Sequence, residues 1–332
     1  MKTLESFIMP TQTELFDLLC NMYAEKEYVK GDYIIVPGDA PILLVAHLDT
    51  VHKERVQYLC RSKDKNILMS PEGIGGDDRC GVYALHAIHE RAAAKPWLLF
   101  TCDEEIGAVG AEGFVKDYNK GYLPPELDTI KAIVEIDRKG ANDAVYYDCD
   151  NKEFEDYITG KGFETEFGSF SDISTIAPAL GVAAVNLSSG YYNAHTLYEY
   201  INRAELNMTI ERVLSIVEDA TAPDFPKYEY VEAKRTYSLN KYGWKSGWYD
   251  YDYSKWYDKE DEEEETEEEH LKKIPEEIRN EYEALLEYYT MDELADIALA
   301  YGNAYIRFLF ESEFGGTYEE IFGKEDTDGS EI

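Results

Sequence analysis

The sequence predicts a three-layer α/β/α sandwich on a mixed, mostly parallel sheet, followed by a small helical C-terminal appendage. Apolar runs of strand length alternate with amphipathic helical patterns as far as about Asp219, which is the order of elements in α/β proteins. The runs are also almost continuously apolar, as in ILLVA at 42–46 and WLLFTC at 97–102. Strands of this kind are buried on both faces of their sheet.

Each element of the sandwich follows from its local pattern. Leucine and methionine side chains at helical spacing predict a first helix within 11–30. Strands are expected at 32–36, 42–46, 97–102, 131–136, 144–148 and 182–187, and further helices at 79–94, 108–119, 152–160, 172–180 and 203–219. Because the last helical pattern ends near Asp219, we expect the first domain to span residues 1–222.

The composition changes sharply beyond this domain. Tyrosine and tryptophan dominate 225–257, and the acidic run KEDEEEETEEEH follows at 259–270, so we expect 223–270 to be a linker that repels itself and stays solvated. Thr290 and Glu293 have the spacing of a helix capping box. We therefore predict a small helical segment over 271–323 and a disordered tail over 324–332.

Charge and cysteine usage narrow the class of protein. The chain has 68 acidic and 32 basic residues, a formal net charge of −36, and such a field repels nucleic acid and anionic membranes. Its five cysteines show no CxxC spacing, and no apolar stretch approaches the length of about 20 residues that a membrane span needs. We expect a cytoplasmic protein without nucleic-acid or membrane partners.

Histidines and carboxylates recur just behind predicted strands, where open α/β sheets bind their ligands. His47 and Asp49 follow the strand at 42–46, and alternation places them on one side of an extended chain. The other candidates are Asp77 and Asp78 in the turn GIGGDDRCG, Asp103, Glu104 and Glu105 behind WLLFTC, Asp137 behind AIVEI with Glu135 as a reserve ligand, and His195 behind VAAVNL.

Each of these residues alone has an ordinary structural explanation. Asp77 can be a helix N-cap, Asp137 can pair with Arg138 or Lys139, and His195 can be a loop histidine. Three successive acids behind a buried strand are nevertheless costly unless a cation neutralises them. Imidazoles and carboxylates suit zinc or a similar divalent ion. Two histidines and three carboxylates are enough for two ions that share one aspartate.

The order of the motifs resembles that of the zinc metallopeptidase clan, which includes aminoacylases and carboxypeptidases, aminopeptidases, and tetrahedral aminopeptidases. The motifs are HLD at 47–49, GGDDRCG at 75–81, DEEIGAVGA at 103–111, EID at 135–137, and NAHT at 193–196 with a glutamate after it. FSD at 170–172, with HTLYE at 195–199, is similar to the C-terminal catalytic segment of the clan. The resemblance covers roughly residues 40–200, and residues 225–332 have no counterpart in it.

The resemblance implies a role for each matching residue. It implies Asp49 as the carboxylate that orients His47, Glu104 as the general base, and a cis peptide bond after Asp77. The ligands that it implies are His47 and Asp137 on one ion, Glu105 and His195 on the other, and Asp77 as the bridge. The expected cofactor is two divalent ions, zinc above all, with cobalt and manganese as the alternatives.

The sequence departs from the clan in having no room for an inserted domain. Asp137 and His195 are 58 positions apart, and Asp49 and Asp77 are 28 positions apart. Neither gap holds a separate domain of ordinary size. We therefore expect a compact core, closest to the single-domain aminopeptidases, with substrate contacts supplied from elsewhere in the chain.

The expected function is hydrolysis of an amide bond by a cytoplasmic, zinc-dependent exopeptidase. An N-acyl amino acid deacylase or desuccinylase with the same centre is the first alternative. A catalytically silent metal-binding interaction module is the second. The sequence leaves open the substrate and the end from which it is cut, the native metal, the oligomeric state and the role of residues 225–332.

Overall fold

A computed structural model describes most of the first 233 residues and short parts of the rest. The described residues are 2–24, 28–52, 54–168, 170–233, 274, 278–286, 294, 306–307 and 309–310. The chain divides into two compact units, Met1–Thr236 and Tyr237–Ile332. The candidate site residues all lie in the first unit.

Two sheets organise the described part of the first unit. Its strands are β1 (Tyr28–Lys30), β2 (Tyr33–Val36), β3 (Ile42–His47), β4 (Cys60–Arg61), β5 (Ile67–Met69), β6 (Trp97–Thr101), β7 (Ala132–Arg138), β8 (Asp143–Val145), β9 (Glu164–Thr165), β10 (Ala184–Ser188), β11 (Tyr191–Tyr192) and β12 (Tyr200–Asn202). Eight of them form a sheet in the order β1-β2-β6-β3-β7-β10-β8-β9. The central strands β6, β3, β7 and β10 are mutually parallel, which confirms the predicted mixed, mostly parallel sheet.

The second sheet was not predicted. It has the order β11-β12-β5-β4, and its strands pair antiparallel. These strands are two or three residues long, so they carry too little apolar periodicity to be recognised locally. The sheet joins the chain just before α3 to the segment that leads into α7, and it therefore borders the candidate site.

Helices cover both faces of the large sheet. They are α1 (Glu5–Ile8), α2 (Gln12–Tyr23), α3 (Gly76–Arg91), α4 (Val109–Asn119), α5 (Lys152–Gly160), α6 (Asp172–Leu180) and α7 (Arg203–Ala220), with a 3-10 turn at Pro125–Thr129. Side chains of α2, α3, α5 and α7 share one apolar core, and those of α4 and α6 share another. The predicted three-layer sandwich is confirmed.

Alternation along β3 explains the two cores. Ile42, Leu44 and Ala46 face the first core, whereas Leu43 and Val45 face the second. All five side chains are fully buried, so the strand has no polar face and reads as a continuous apolar run. The central position of β3 brings its last residue, His47, to the middle of the carboxyl edge of the sheet.

Helix α3 lies unusually close to the sheet. A side chain at Gly81 would collide with the backbone carbonyl of Ile136 and with the carboxylate of Asp78. The Gly81 N–H donates to Asp78 Oδ1 at 2.9 Å. A glycine is required at this position, because it lets the first turn of the helix approach β7.

The N-terminal segment is fastened to α3. Arg79 is almost completely buried, and its Nη1 donates to the backbone oxygens of Phe7 and Pro10 at 3.0 and 2.9 Å. Helix α2 begins at a capping box formed by Thr11 and Glu14. The predicted helix over 11–30 thus ends earlier than expected, at Tyr23, and the chain continues into β1 from Tyr28.

The C-terminal predictions fall largely on residues outside those described. In the second unit the structure gives a helix at Arg279–Leu285, inside the predicted segment 271–323, and the buried side chains of Ile278, Tyr282, Leu285, Leu294, Ile306 and Phe310 form an apolar cluster there. The acidic run, the capping-box pair and the tail 324–332 lie outside the described residues. Within the part described, no helix is both long and apolar enough to cross a membrane.

The segment after α7 belongs to the first unit and packs against its α/β sandwich. Glu229 and Glu232 form isolated bridges with Val182 and Cys149. Phe225 and Tyr228 are buried in the first core. The start of the stretch 223–270 is thus in contact with the sandwich.

Candidate metal centre

The candidate residues meet at the carboxyl edge of the parallel strands. His47 ends β3, Glu104 and Glu105 lie in the loop after β6, and Asp137 lies at the end of β7. Asp77 opens α3, and His195 lies in the loop between β11 and β12. Because parallel strands end at one edge of a sheet, residues far apart in sequence are brought together there.

His47 and Asp49 form an oriented pair. His47 Nδ1 lies 3.2 Å from Asp49 Oδ1, and both side chains are buried. The two oxygens of Asp49 also accept the backbone N–H groups of Glu104 and Glu105, each at 3.0 Å. The carboxylate therefore holds the imidazole with Nδ1 protonated and Nε2 free to act as a ligand.

Asp77 lies between the two histidines. Its Oδ1 is 3.3 Å from His47 Nε2 and its Oδ2 is 3.2 Å from His195 Nε2. Asp77 and Asp78 have non-helical backbone angles at the start of α3, and the peptide bond between them is cis, as expected. Each oxygen of Asp77 thus faces a different imidazole.

The other carboxylates complete the two sides. Asp137 Oδ1 lies 3.5 Å from His47 Nε2, and Glu105 Oε2 lies 3.0 Å from His195 Nε2. Among the described residues, two groups have ligand atoms close enough to hold a metal ion: His47, Asp77 and Asp137, and Asp77, Glu105 and His195. The groups share Asp77, as a two-ion centre with a bridging carboxylate requires.

The donor set fits divalent cations. Two imidazoles and three carboxylates offer the nitrogen and oxygen ligands that zinc prefers in catalytic sites. Glu105 Oε1 is buried and has no hydrogen-bond partner among the described residues. Buried carboxylates at this density are costly unless cationic charge balances them.

The pKa values of the acidic and histidine side chains in the site also indicate that positive charge is needed beside the carboxylates. Burial raises the pKa of Asp137 well above its ordinary value, and the negative charge of Asp77 adds to the rise. Hydrogen bonds to Asp77 and Glu105 raise the pKa of His195 to about 11. Metal-free imidazoles in front of these carboxylates would hold protons, and a metal ion would displace them on binding.

Glu104 lies beside the ligands without belonging to either group. Its Oε2 is 4.0 Å from His47 Nε2, and its side chain is 13% exposed. Burial raises the pKa of Glu104 to about 7, helped by the carboxylates of Asp172, Asp77 and Glu105 and opposed by His47. A carboxyl group that titrates near neutral pH is suited to both accepting and returning a proton.

Other predicted participants lie elsewhere. Glu135 is fully buried and accepts a hydrogen bond from the Ser171 hydroxyl, so the reserve ligand belongs to neither group. Asp78 is also buried and accepts the Gly81 N–H. Arg138 Nε lies 3.7 Å from Asp143 Oδ2. Arg138 therefore pairs with Asp143, and not with Asp137 as the ordinary structural explanation of Asp137 would require.

Of the aromatic and amide residues before His195, only one reaches the centre among the contacts described. The Tyr191 hydroxyl donates to the backbone oxygen of Asp137 at 3.2 Å and lies 3.5 Å from its Oδ1. Tyr192 donates instead to Glu205, and Asn193 donates to the Tyr198 carbonyl. Tyr191 therefore buttresses a candidate ligand.

The sequence did not reveal the contribution of the N-terminal segment. A cavity of about 560 Å³ adjoins the centre, with one wall formed by that segment. Its lining includes Ile8, Pro10, Gln12, Asp49, Ile74, Asp103, Glu105 and Ile106. Gln12 Nε2 donates to Asp103 Oδ1 at 2.9 Å and closes the wall against the loop after β6. No motif signals this contact, because it joins residues 91 positions apart.

Comparisons with known proteins show which families and folds this chain is similar to. The model of peptidase family M28 matches residues 33–173, which include four of the five candidate ligands. A curated sequence of Emericella nidulans described as a probable carboxypeptidase is 26% identical over 192 residues, which cover 55% of this chain. The matched region spans 37% of the length of that relative.

A solved structure supports the fold, and a second is reported beside it. A tripeptidase from Staphylococcus aureus superposes with a TM-score of 0.50 at 15% identity, over 66% of this chain and 96% of that one. Aminopeptidase PepT from Bacillus cereus has a TM-score of 0.49 at 15% identity, over 66% and 97% of the two chains. The family match over residues 33–173 and the order of the motifs therefore support the expected resemblance to a metallopeptidase clan.

Proposed function

We propose that the chain is a metal-dependent exopeptidase that hydrolyses a peptide bond at a centre of two divalent ions. The observation that carries the proposal is the pair of ligand groups that share Asp77. His47, Asp77 and Asp137 would hold one ion, and Asp77, Glu105 and His195 the other. Zinc suits this donor set best, and cobalt or manganese would find the same ligands.

These ligands would hold ions that, when bound, would polarise the scissile carbonyl and lower the pKa of a water molecule. Glu104 is the general base in this proposal. Its carboxylate takes a proton from the attacking water as the C–O bond forms, and it returns that proton to the amine nitrogen as the C–N bond breaks. Asp49 acts indirectly, by fixing the orientation of His47.

The cavity beside the centre would receive the substrate. Its volume of about 560 Å³ is in the range of small-molecule sites, about 300–1,000 Å³. Space of this size suits a short peptide better than a folded chain, which favours an exopeptidase. The N-terminal segment would supply contacts that an inserted lid domain supplies in other members of the clan.

The experiment that tests this proposal combines metal analysis with one substitution. We expect about two zinc ions per wild-type chain and none in a His47→Ala/His195→Ala double variant, measured by plasma mass spectrometry after dialysis. Glu104→Gln should retain the ions and lose about 10²–10⁴-fold in kcat on a peptide substrate.

Two results would contradict the proposal. A wild-type chain without bound ions would remove the metal mechanism, and wild-type turnover in Glu104→Gln would remove Glu104 as the base. Glu112→Gln is a matched control, because Glu112 is an exposed residue in the first turn of α4. It should keep both the ions and the activity.

An N-acyl amino acid deacylase remains the second candidate, since the same centre cleaves that amide. The relative described as a probable carboxypeptidase and the structural neighbour described as a tripeptidase favour peptides. A panel of peptides with free or acylated N-termini separates the two activities. Preference for acylated single amino acids would select the deacylase.

A further inference from the structure

Glu199 is a buried carboxylate without a role in the mechanism above. Its exposed fraction is 0%. Its Oε2 accepts the backbone N–H of Gly75 and its Oε1 accepts that of Asp77, both at 2.9 Å. His52 Nε2 lies 3.4 Å from Oε2. Through these two hydrogen bonds, the Glu199 carboxylate holds the backbone of the turn that carries Asp77, the ligand shared by both groups.

The same short loop provides both the candidate ligand His195 and the carboxylate of Glu199. His195 and Glu199 are four positions apart, and the loop is closed by hydrogen bonds from the Thr196 hydroxyl to the Asn193 carbonyl and from the Glu199 N–H to the Thr196 carbonyl. His195 contacts the side chain of Asp77 while Glu199 holds its N–H. Asp77 is therefore constrained at its backbone and at its carboxylate by one loop.

The turn that Glu199 holds is tightly packed, so its backbone has little room to move. A side chain at Gly76 would come within 2.7 Å of Tyr191 Cβ and 3.2 Å of Glu199 Oε1. Gly75, the N-cap of α3, has a left-handed backbone conformation with φ of 61°. The turn thus approaches Glu199 as closely as a backbone without side chains allows.

We propose that Glu199 is a positioning residue that fixes the Asp77 carboxylate for both metal ions. The assignment rests on the two-ion centre of the proposed function. Because Asp77 belongs to both ligand groups, release of its backbone should weaken both ions together. Loss of a ligand that belongs to one group should weaken only one ion.

The chemistry of the carboxylate predicts a graded series of variants. Glutamate accepts one N–H on each oxygen, whereas the amide of glutamine offers one acceptor and one donor group. Glu199→Gln should therefore lose one of the two backbone hydrogen bonds, and Glu199→Ala should lose both. Substitution of residues that orient metal ligands typically lowers metal affinity about 10- to 100-fold.

The test is zinc titration of chelator-stripped full-length protein by calorimetry, with circular dichroism to verify folding. We expect affinity for both ions to fall about 10- to 100-fold in Glu199→Ala and by a smaller factor in Glu199→Gln. His195→Ala should weaken one ion only. Glu72→Gln is the matched control, because Glu72 accepts from Ser70 and the Tyr58 N–H in a neighbouring turn and should leave both affinities unchanged.

The outcomes separate this inference from the proposed function. Wild-type zinc affinity in folded Glu199→Gln and Glu199→Ala would overturn the assignment, as would loss of a single ion in both. A wild-type chain that binds no zinc would overturn the two-ion centre itself. If Glu199→Ala fails to fold, Glu199→Gln alone still decides, since it preserves the shape and volume of the side chain.

Discussion

At the scale of single residues, the site depends on side chains that satisfy several partners at once. Asp49 accepts two backbone N–H groups and faces an imidazole nitrogen, so one carboxylate orients both His47 and the loop that carries Glu104 and Glu105. Hydrogen bonds and His47 hold the pKa of Asp49 below its ordinary value although burial opposes this. The group is therefore a carboxylate, a pure acceptor, at neutral pH.

Asp49→Asn should weaken zinc binding and lower kcat/KM by about 10- to 100-fold. The amide turns one acceptor into a donor, which must then face either a backbone N–H or the imidazole. Zinc titration and peptide turnover measure the effect. Asp64→Asn, in an exposed turn where Asp64 accepts from Ser62, is the control. Unchanged zinc affinity in Asp49→Asn would contradict the orienting role.

At the scale of elements, the approach of α3 to the sheet sets the position of the shared aspartate. Gly81 allows this contact, since its missing side chain makes room for the Ile136 carbonyl and the Asp78 carboxylate. Tertiary contact, and not helix propensity, therefore dictates the residue at this position.

Gly81→Ala should destabilise the domain by about 1–3 kcal/mol, because the added methyl group forces the helix and the strand apart. Urea denaturation measures the loss. Gly113→Ala supplies the control inside α4, where the nearest atom to a new Cβ is 3.7 Å away. That substitution should be neutral or should stabilise by up to about 1 kcal/mol, the usual helical advantage of alanine over glycine. Equal stability of the two variants would contradict the close-approach argument.

The positions of strands that are buried on both faces of the sheet could be predicted from the sequence. Strands β3, β6 and β7 occur within a few residues of the expected positions, because their apolar runs are a direct record of burial on two faces. The antiparallel sheet of β4, β5, β11 and β12 was missed, since its strands are only two or three residues long and the pairing of β5 with β12 joins segments more than 100 positions apart.

The sequence signals some residues of the candidate site and gives no signal for others. Histidines and carboxylates that follow strands are visible in the sequence, and the structure gathers His47, Asp77, Glu105, Asp137 and His195 into two groups. The role of Glu199 was hidden because its partners are backbone N–H groups 122 and 124 positions away. Backbone donors have no signature in a sequence.

At the scale of the whole molecule, the chain has a large excess of acidic residues, and several carboxylates also lie close together at the candidate metal centre. The chain has a formal net charge of −36, and the carboxylates of Asp77, Glu105 and Asp137 lie together in a largely buried site. Repulsion among them opposes folding in the absence of a cation. Bound ions should therefore stabilise the folded domain.

Removal of the ions by a chelator should lower the melting temperature of the wild-type protein, and added zinc should restore it. A ligand at 100 times its dissociation constant contributes about 2.7 kcal/mol per site to the free energy of unfolding. Differential scanning calorimetry measures the shift. The His47→Ala/His195→Ala double variant should show no zinc-dependent shift. A wild-type melting temperature that ignores both chelator and zinc would contradict this account.

The spread of the site along the chain also matters during synthesis. Its first candidate ligand is residue 47, and its last contributing segment is the loop 195–199, with three further segments between them. A growing chain that ends before residue 195 contains His47, Glu104 and Glu105 but lacks the histidine of the second group. Interrupted translation products should therefore be inert toward their neighbours, and peptide cleavage should begin only when the whole sandwich has emerged from the ribosome and closed.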